Sequence, residues 1–168
     1  MGLDLSLTGT GIVVVQGAKV SEWRHLPTEV AKDEQECGLL PSGKFRGTND
    51  ERIDWIVSNI RGMWMSHLPA LTVIEDYSFA NNYPGSRINA EIHGIIKNRL
   101  FRVSAPYTTL PPRSLKKEAT GNGAASKSEM VEAAQAEWAE CPPIHDVADA
   151  YHLARWAQRN YNEVVQGG

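Results

Sequence analysis

A carboxylate inside a predicted strand constrains this sequence more than any other feature. Apolar and polar residues alternate from Leu3 to Leu7, which is the period of a half-buried strand, and Asp4 lies within that run. Asp is depleted in strands, and a buried charge is costly unless it is paired or bound to a metal. Gly9 and Gly11 predict a tight turn before the next strand. Asp4 is therefore a candidate functional residue, and a solvated strand face or a turn cap is the ordinary alternative.

The length and composition are those of one ordinary globular domain. The chain has 168 residues, of which 42% are hydrophobic and 22% charged, and we expect a single domain spanning 1–168. No apolar run approaches the ~20 residues that a membrane helix needs, and a signal-peptide pattern is absent. We therefore expect no membrane partner and a cytoplasmic location, in a bacterial cell or a virus-infected host cell.

The remaining patterns predict a mixed sheet with helices on its faces. Capping boxes at Thr48 with Glu51 and at Ser126 with Glu129 mark two helix starts. Residues 27–47 contain Pro, Gly and many charges without a period, and they are predicted to form a loop. The predicted elements are three strands within 3–26, a helix in 48–69, a strand in 71–74, a helix in 88–100, a strand in 103–110, a basic helical turn in 113–117, and helices from 126 and from 146. This order, β-β-β-α-β-α-β-α-α, predicts an α/β fold with a five-stranded sheet.

Three further acids occupy places related to that of Asp4. Glu75 ends the fourth predicted strand, and Asp146 and Asp149 lie three residues apart on one face of the last helix. A cluster of unpaired carboxylates repels itself, whereas Mg²⁺ or Mn²⁺ would offset that charge. Two such ions about 4 Å apart promote phosphodiester hydrolysis in many nucleases. Taken singly, each acid has an ordinary explanation as a helix cap, a polar strand end or a solvated position.

The charge is unevenly distributed along the chain. The net charge is −3, but residues 81–127 hold eight Lys and Arg against two Glu, so this segment carries +6 and the rest carries −9. Such a division suits a protein that binds an anionic polymer with one surface and metal cations with another. A few solvated basic helix faces would produce the same count.

Four segments together resemble the RuvC-type Holliday junction resolvases, crossover junction endodeoxyribonucleases of the ribonuclease H fold. Gly2–Gly11 is similar to the family's opening strand, and Val73–Glu75 to its second acidic strand end. Pro112–Lys117, followed by Gly121–Lys127, is similar to its basic segment, and His145–Ala150 to its closing acidic motif. The likeness covers most of the chain and implies a ribonuclease H-like mixed sheet with helices on both faces.

The resemblance also implies a function for particular residues. It implies a homodimer that nicks opposing strands of branched DNA and uses two Mg²⁺ or Mn²⁺ ions in each active site. The apolar spacing of the Ile-rich helix 88–100 suits either part of the dimer contact or packing on the chain's own sheet. The implied metal ligands and catalytic acids are Asp4, Glu75, Asp146 and Asp149, with His145 as an alternative ligand and Lys127 as a further catalytic residue. The implied DNA-binding residues are Arg113, Lys116 and Lys117, with Tyr77 or Phe79 stacking on a base at the junction centre.

Three other functions compete with this interpretation. A sugar kinase or actin-like ATPase shares a strand Asp followed by Ser, Thr and Gly, but those proteins duplicate the fold and this chain has room for one copy. A catalytically silent ribonuclease H-like module that binds nucleic acid is opposed by the acids at all four places. A related nuclease acting on other branched DNA or on RNA remains open, because one fold hosts many substrates.

Overall fold

The structure is a computed structural model that describes residues 1–76 and 84–166, where a mixed sheet is covered by helices on both faces. The strands are β1 Gly2–Asp4, β2 Gly9–Gln16, β3 Lys19–Val30, β4 Gly38–Leu39, β5 Phe45–Gly47, β6 Thr72–Glu75 and β7 Tyr107–Leu110. The helices are α1 Asn49–His67, α2 Pro84–Arg102, α3 Pro112–Thr120, α4 Lys127–Glu137 and α5 His145–Gln166. The strand order across the sheet is β4-β5-β3-β2-β1-β6-β7.

The short strand β1 joins the antiparallel and the parallel parts of the sheet. It pairs antiparallel with β2 and parallel with β6, with Leu3 opposite Ile74. β6 in turn pairs parallel with β7. Because parallel strands end at the same edge of a sheet, this register places the ends of β1 and β6, and with them Asp4 and Glu75, side by side.

Alternate residues of the central strands supply two different cores. Ile12 and Val14 of β2 are buried against a cluster that includes α1 and α2, whereas Val13 packs with residues of α4 and α5. A third cluster joins β6 and β7 to α3, α4 and α5. This is the two-residue period expected of strands that are buried on both faces. In the described ranges, no helix carries an apolar stretch that could cross a bilayer.

The structure confirms the predicted α/β class and mixed sheet. Within the described residues, however, the sheet has seven strands and not the five that were predicted. The segment predicted to be a loop contains the end of β3 and the two short strands β4 and β5. Thr28 to Val30 pair with β5, and Phe45 of β5 stacks on Trp55 of α1 with ring centroids 5.1 Å apart. Strands of two or three residues are too short to show a period, so this part of the prediction was wrong.

Gly9 and Gly11 do not lie in the turn between the first two strands. The turn spans residues 5–8, and both glycines belong to β2. A Cβ on Gly11 would lie 1.9 Å from the backbone oxygen of Asp146 in α5, and a Cβ on Gly2 would lie 1.9 Å from the backbone oxygen of Ala150. These glycines therefore allow the close approach of a helix to the sheet, and the prediction of turn glycines was wrong.

Two other boundaries also differ from the prediction. α2 continues to Arg102, so the following strand is confined to Tyr107–Leu110. The predicted basic turn at 113–117 is a helix of nine residues, Pro112–Thr120, because Pro at its first position is compatible with a helix start and Gly121 adopts a left-handed conformation at its end. Both capping boxes are present as predicted.

We expect Gly11→Ala to lower the thermal stability of the protein. The added methyl group has backbone atoms of Asp146 and Val147 within 3.0 Å, and overpacking of this kind costs about 1–3 kcal/mol. Gly62→Ala is the matched control, because Gly62 lies on α1 with open space around its Cβ, and it should stabilise the protein by about 0.5–1 kcal/mol. Differential scanning calorimetry measures both. A Gly11→Ala protein as stable as the wild type would show that α5 does not depend on this contact.

Candidate active site

Four carboxylates from three elements lie close together at one edge of the sheet. Asp4 ends β1, Glu75 ends β6, and Asp146 and Asp149 belong to the first turns of α5. Asp4 is 9% exposed. Burial, followed by the charges of Glu75, Asp149 and Asp146, raises the pKa of Asp4 well above the ordinary carboxyl range. Each of the other three acids therefore acts directly on Asp4, which is the centre of the cluster.

Asp4 and Glu75 interact directly across the two neighbouring strands. The protonated Asp4 donates a hydrogen bond to Glu75, which further raises the pKa of Asp4. Burial raises the pKa of Glu75 also, whereas the bond from Asp4 and the nearby charge of Lys116 act in the opposite direction. Without a cation, one proton on this pair thus relieves part of the repulsion between the two carboxylates.

Asp149 has a buried carboxylate oxygen whose hydrogen-bonding capacity is unsatisfied within the described residues. Its Oδ1 atom is buried and has no hydrogen-bond partner among the described residues. Burial, followed by the charges of Glu75 and Asp146, raises the pKa of Asp149 to about 7, although Lys116 and Lys127 oppose the shift. A buried polar atom without a partner is rare and calls for an explanation such as an ion or a ligand.

Two histidines hold the Asp146 carboxylate. Nε2 of His25 lies 3.0 Å from Oδ2, and Nε2 of His145 lies 2.8 Å from Oδ1. The same Nε2 atom of His145 lies 2.8 Å from Nζ of Lys127. One nitrogen cannot donate to Asp146 and accept from Lys127 at once, so His145 has two alternative hydrogen-bonding states. His145 therefore lies beside the acid cluster, in contact with both Asp146 and Lys127.

Sequence reasoning missed His25, because β3 and α5 are far apart along the chain and no local pattern joins them. It also missed Arg52 of α1, which is 3% exposed. Arg52 donates to the backbone oxygen of Leu7, to Thr28 and to Asn49. These bonds fix the turn that follows Asp4. The only available signal was the spacing of Arg52, which lies four residues before Ile56 and therefore shares the inward face of α1.

The basic residues predicted to bind DNA are arranged around the acid cluster in two ways. Lys116 and Lys127 are near enough to Asp149 to lower its pKa. Lys117 and Arg113 lie on exposed positions of α3, and Arg113 also borders Gly123 in the following loop. Tyr77 and Phe79 lie outside the described residues.

The acid cluster suits divalent metal ions in its chemistry. Four carboxylates, among them a buried oxygen without a partner, form the hard oxygen donor set that Mg²⁺ and Mn²⁺ prefer. Within the described ranges, no three His, Cys, Asp or Glu side chains already stand in metal-binding positions. In the present arrangement, Asp4 is hydrogen-bonded to Glu75 and both oxygens of Asp146 contact histidines. A cation would replace the hydrogen bond between Asp4 and Glu75 and the contact of Asp146 Oδ1 with His145.

Comparison with known proteins gives the class and the family. No model of a protein family matches the chain. The structure is similar to Thermus thermophilus RuvC, with a TM-score of 0.68 and 18% identity over 96% of this chain and 94% of that one. It is also similar to T. thermophilus RuvC in complex with a Holliday junction substrate, with a TM-score of 0.66 and 20% identity over 91% of this chain and 88% of that one. The fold is therefore of the ribonuclease H-like class, as the sequence predicted.

A sequence relative identifies the family within that class. The chain is 31% identical over 168 residues to a crossover junction endodeoxyribonuclease RuvC of Synechococcus sp. strain WH7803. This alignment covers 95% of the chain and 98% of the relative. The chain belongs to the RuvC family, which confirms the resemblance noted in its sequence.

We expect Asp149→Asn to stabilise the metal-free protein increasingly as the pH rises from about 4 to 7. The pKa of Asp149 is raised from 3.8 to about 7, so in this window the folded state retains a proton that the unfolded state has lost. Stability conferred by that proton is lost as the pH rises, and asparagine removes the loss. Melting temperatures measured in a chelator should diverge by several degrees, since 1 kcal/mol corresponds to about 2–4 °C at this size.

The control for this prediction is Glu163→Gln, an isosteric change at an exposed position of the same helix. Its melting temperature should follow that of the wild type across the pH range. A constant difference between Asp149→Asn and the wild type would contradict the raised pKa.

Proposed function

We propose that this protein is a structure-selective DNA endonuclease that resolves four-way junctions by paired, symmetric nicks in opposing strands. The observation that carries the proposal is the gathering of Asp4, Glu75, Asp146 and Asp149 at one edge of the sheet, where burial, followed by mutual repulsion, raises the pKa values of Asp4 and Asp149. The sequence relative is named a crossover junction endodeoxyribonuclease, and a RuvC of similar fold has been solved with a Holliday junction substrate. Both support branched DNA as the substrate.

The four acids would hold two divalent ions, Mg²⁺ or Mn²⁺. When bound, such ions supply an activated water molecule and offset the charge on the leaving oxygen. Asp4 is the best candidate for a ligand shared by both ions, because it interacts with each of the other three acids. We infer that Asp146 and not His145 is the ligand, since Asp146 acts electrostatically on Asp4, Glu75 and Asp149.

The chain's own residues contribute binding and charge. Lys127 and Lys116 lie beside the acids, where an ammonium group can bind a phosphate oxygen and stabilise the extra negative charge of the pentavalent phosphorus. Asp4 and Asp149 have raised pKa values and would have to be deprotonated to hold a cation, so cation binding would be favoured at higher pH. Arg113 and Lys117 on the exposed side of α3 extend the positive surface along the DNA backbone. Tyr77 or Phe79 is proposed to stack on a base at the junction centre.

We further infer that the protein is a homodimer that pairs through the face formed by α1 and α2. A groove of about 500 Å³ between these helices is lined by Ile60, Trp64 and Ile96, with arginines at its rim. The next groove along the same two helices is bordered by three acids, and Arg99 lies between the two grooves and borders both. The arginines are Arg61, Arg99 and Arg102, and the acids are Asp50, Asp54 and Glu91.

The order of these charges favours a second copy of the chain as the partner. A two-fold axis across the face would place the acidic end of one copy against the basic end of the other, with the apolar residues between them. Such an interface is self-complementary. A dimer would also supply one active site for each of the two strands that are nicked.

We expect the purified protein to cut a synthetic four-way junction in Mg²⁺ or Mn²⁺ at symmetric positions in opposing strands. A linear duplex of the same sequence should be cut far less. Asp4→Asn should reduce the cleavage rate by about 10²–10³-fold, because removal of a central carboxylate takes away a main element of transition-state stabilisation. It should still bind the junction in a gel-shift assay.

Glu163→Gln, which changes an exposed acid far along α5, should cleave like the wild type. Equal cleavage of duplex, junction and RNA–DNA hybrid would refute the junction-selective function and leave a general nuclease. A fully active Asp4→Asn protein would refute the proposed metal site.

We expect the double variant Arg61→Glu/Arg99→Glu to be monomeric at concentrations where the wild type is dimeric. The change places negative charge opposite the acidic end of the partner's α1. Sedimentation velocity measures the assembly state, and mixing with Asp50→Arg/Asp54→Arg should restore a heterodimer. Lys19→Glu, on an exposed end of β3, should leave the dimer intact. A double variant that dimerises as tightly as the wild type would exclude this face.

A further inference from the structure

We propose that His25 is a positioning residue that holds Asp146 in the orientation needed to bind a divalent cation. The proposal rests on the metal-dependent function above and adds a residue to it that lies outside the four acids. His25 belongs to β3, on the antiparallel side of the sheet, and it lies outside the four sequence segments that resemble the family.

The contact between His25 and Asp146 is specific and largely shielded from solvent. Nε2 of the imidazole lies 3.0 Å from Oδ2 of the carboxylate, and the side chains of His25 and Asp146 are 23% and 14% exposed. The two residues are 121 positions apart in the chain. Their meeting therefore depends on how α5 is seated on the sheet.

Gly9 provides the space for this hydrogen bond. A Cβ at position 9 would lie 2.7 Å from Oδ2 of Asp146 and 3.0 Å from Nε2 of His25, so it would contact both ends of the bond. A glycine inside a strand is otherwise unfavourable. Its position indicates that the pairing of His25 with Asp146 is a built feature of the fold.

The backbone positions of both residues are fixed independently of their side chains. His25 pairs with Gly11 in the register of β2 and β3, and the backbone oxygen of Asp146 lies over the same Gly11. Both His25 and Asp146 are therefore placed next to Gly11, and this brings the imidazole near the carboxylate. Only their side-chain torsions remain to be set, and the hydrogen bond sets them.

The chemistry of the pair explains its value for cation binding. An imidazole with its proton on Nε2 donates to a carboxylate whether the ring is neutral or charged. By holding Oδ2, His25 leaves Oδ1 as the oxygen for a ligand bond. Oδ1 now contacts His145, whose side chain is 39% exposed and can turn towards solvent. Residues that orient a metal ligand in this way commonly contribute about 10- to 100-fold to metal affinity.

The test is the Mn²⁺ affinity of the full chain, measured by electron paramagnetic resonance of the free ion. We expect His25→Ala to weaken Mn²⁺ binding about 10-fold and His25→Gln, whose amide can donate to the same oxygen, to stay within about 3-fold of the wild type. Gly9→Ala should weaken binding to a similar degree although both polar groups remain. Thermal melting of each variant verifies that it is folded.

His67→Ala is the matched control. It removes another histidine–carboxylate pair, in which Nε2 of His67 lies 2.8 Å from Oε2 of Glu22, remote from the acid cluster. This variant should bind Mn²⁺ like the wild type. If His25→Ala also does so, or if His25→Gln is as weak as His25→Ala, the positioning role is refuted. If the wild type itself shows no Mn²⁺ binding that Asp149→Asn abolishes, the proposed function fails and the role of His25 fails with it.

Discussion

The close seating of α5 on the first two strands is the constraint on which the site depends. Gly2 and Gly11 have no side chains at the points where the backbone oxygens of Ala150 and Asp146 meet the sheet. Because the helix lies this close, its first turns bring two carboxylates to the ends of β1 and β6. A side chain at either glycine would push the helix outward and separate the helical acids from Asp4 and Glu75. The same packing of α5 against the sheet therefore forms the core and brings the four acids together.

That assembly is electrostatically unfavourable without a cation. Burial and mutual repulsion raise the pKa values of Asp4, Glu75 and Asp149, and the nearby Lys116 and Lys127 offset only part of the cost. The remaining stability must come from the apolar clusters on both faces of the sheet, which keep the strands and α5 in place. A bound divalent ion would stabilise this arrangement, because its charge would offset the repulsion between the carboxylates.

The parts of the structure that follow from local patterns could be predicted from the sequence. The helix that starts at Thr48 has its capping box and its apolar period, and the acids 146 and 149 share a face because they are three residues apart. The strands β4 and β5 escaped prediction, since two or three residues show no period. His25 and Arg52 escaped for a different reason. Asp146 is 121 residues from His25 and Thr28 is 24 residues from Arg52, and only the folded chain brings each pair together.

The glycines of β2 show how a pattern can be present and still be assigned to the wrong structure. Gly9 and Gly11 were expected to form a turn, yet residues two apart in a strand lie on the same face, whereas the glycines of a tight turn are commonly adjacent. The shared face is the one against α5. There, Gly11 makes room for the backbone of Asp146 and Gly9 makes room for its carboxylate beside His25. The two-residue spacing of Gly9 and Gly11 therefore reflects a strand whose one face accommodates Asp146 of α5. Asp146 is one of the four acids.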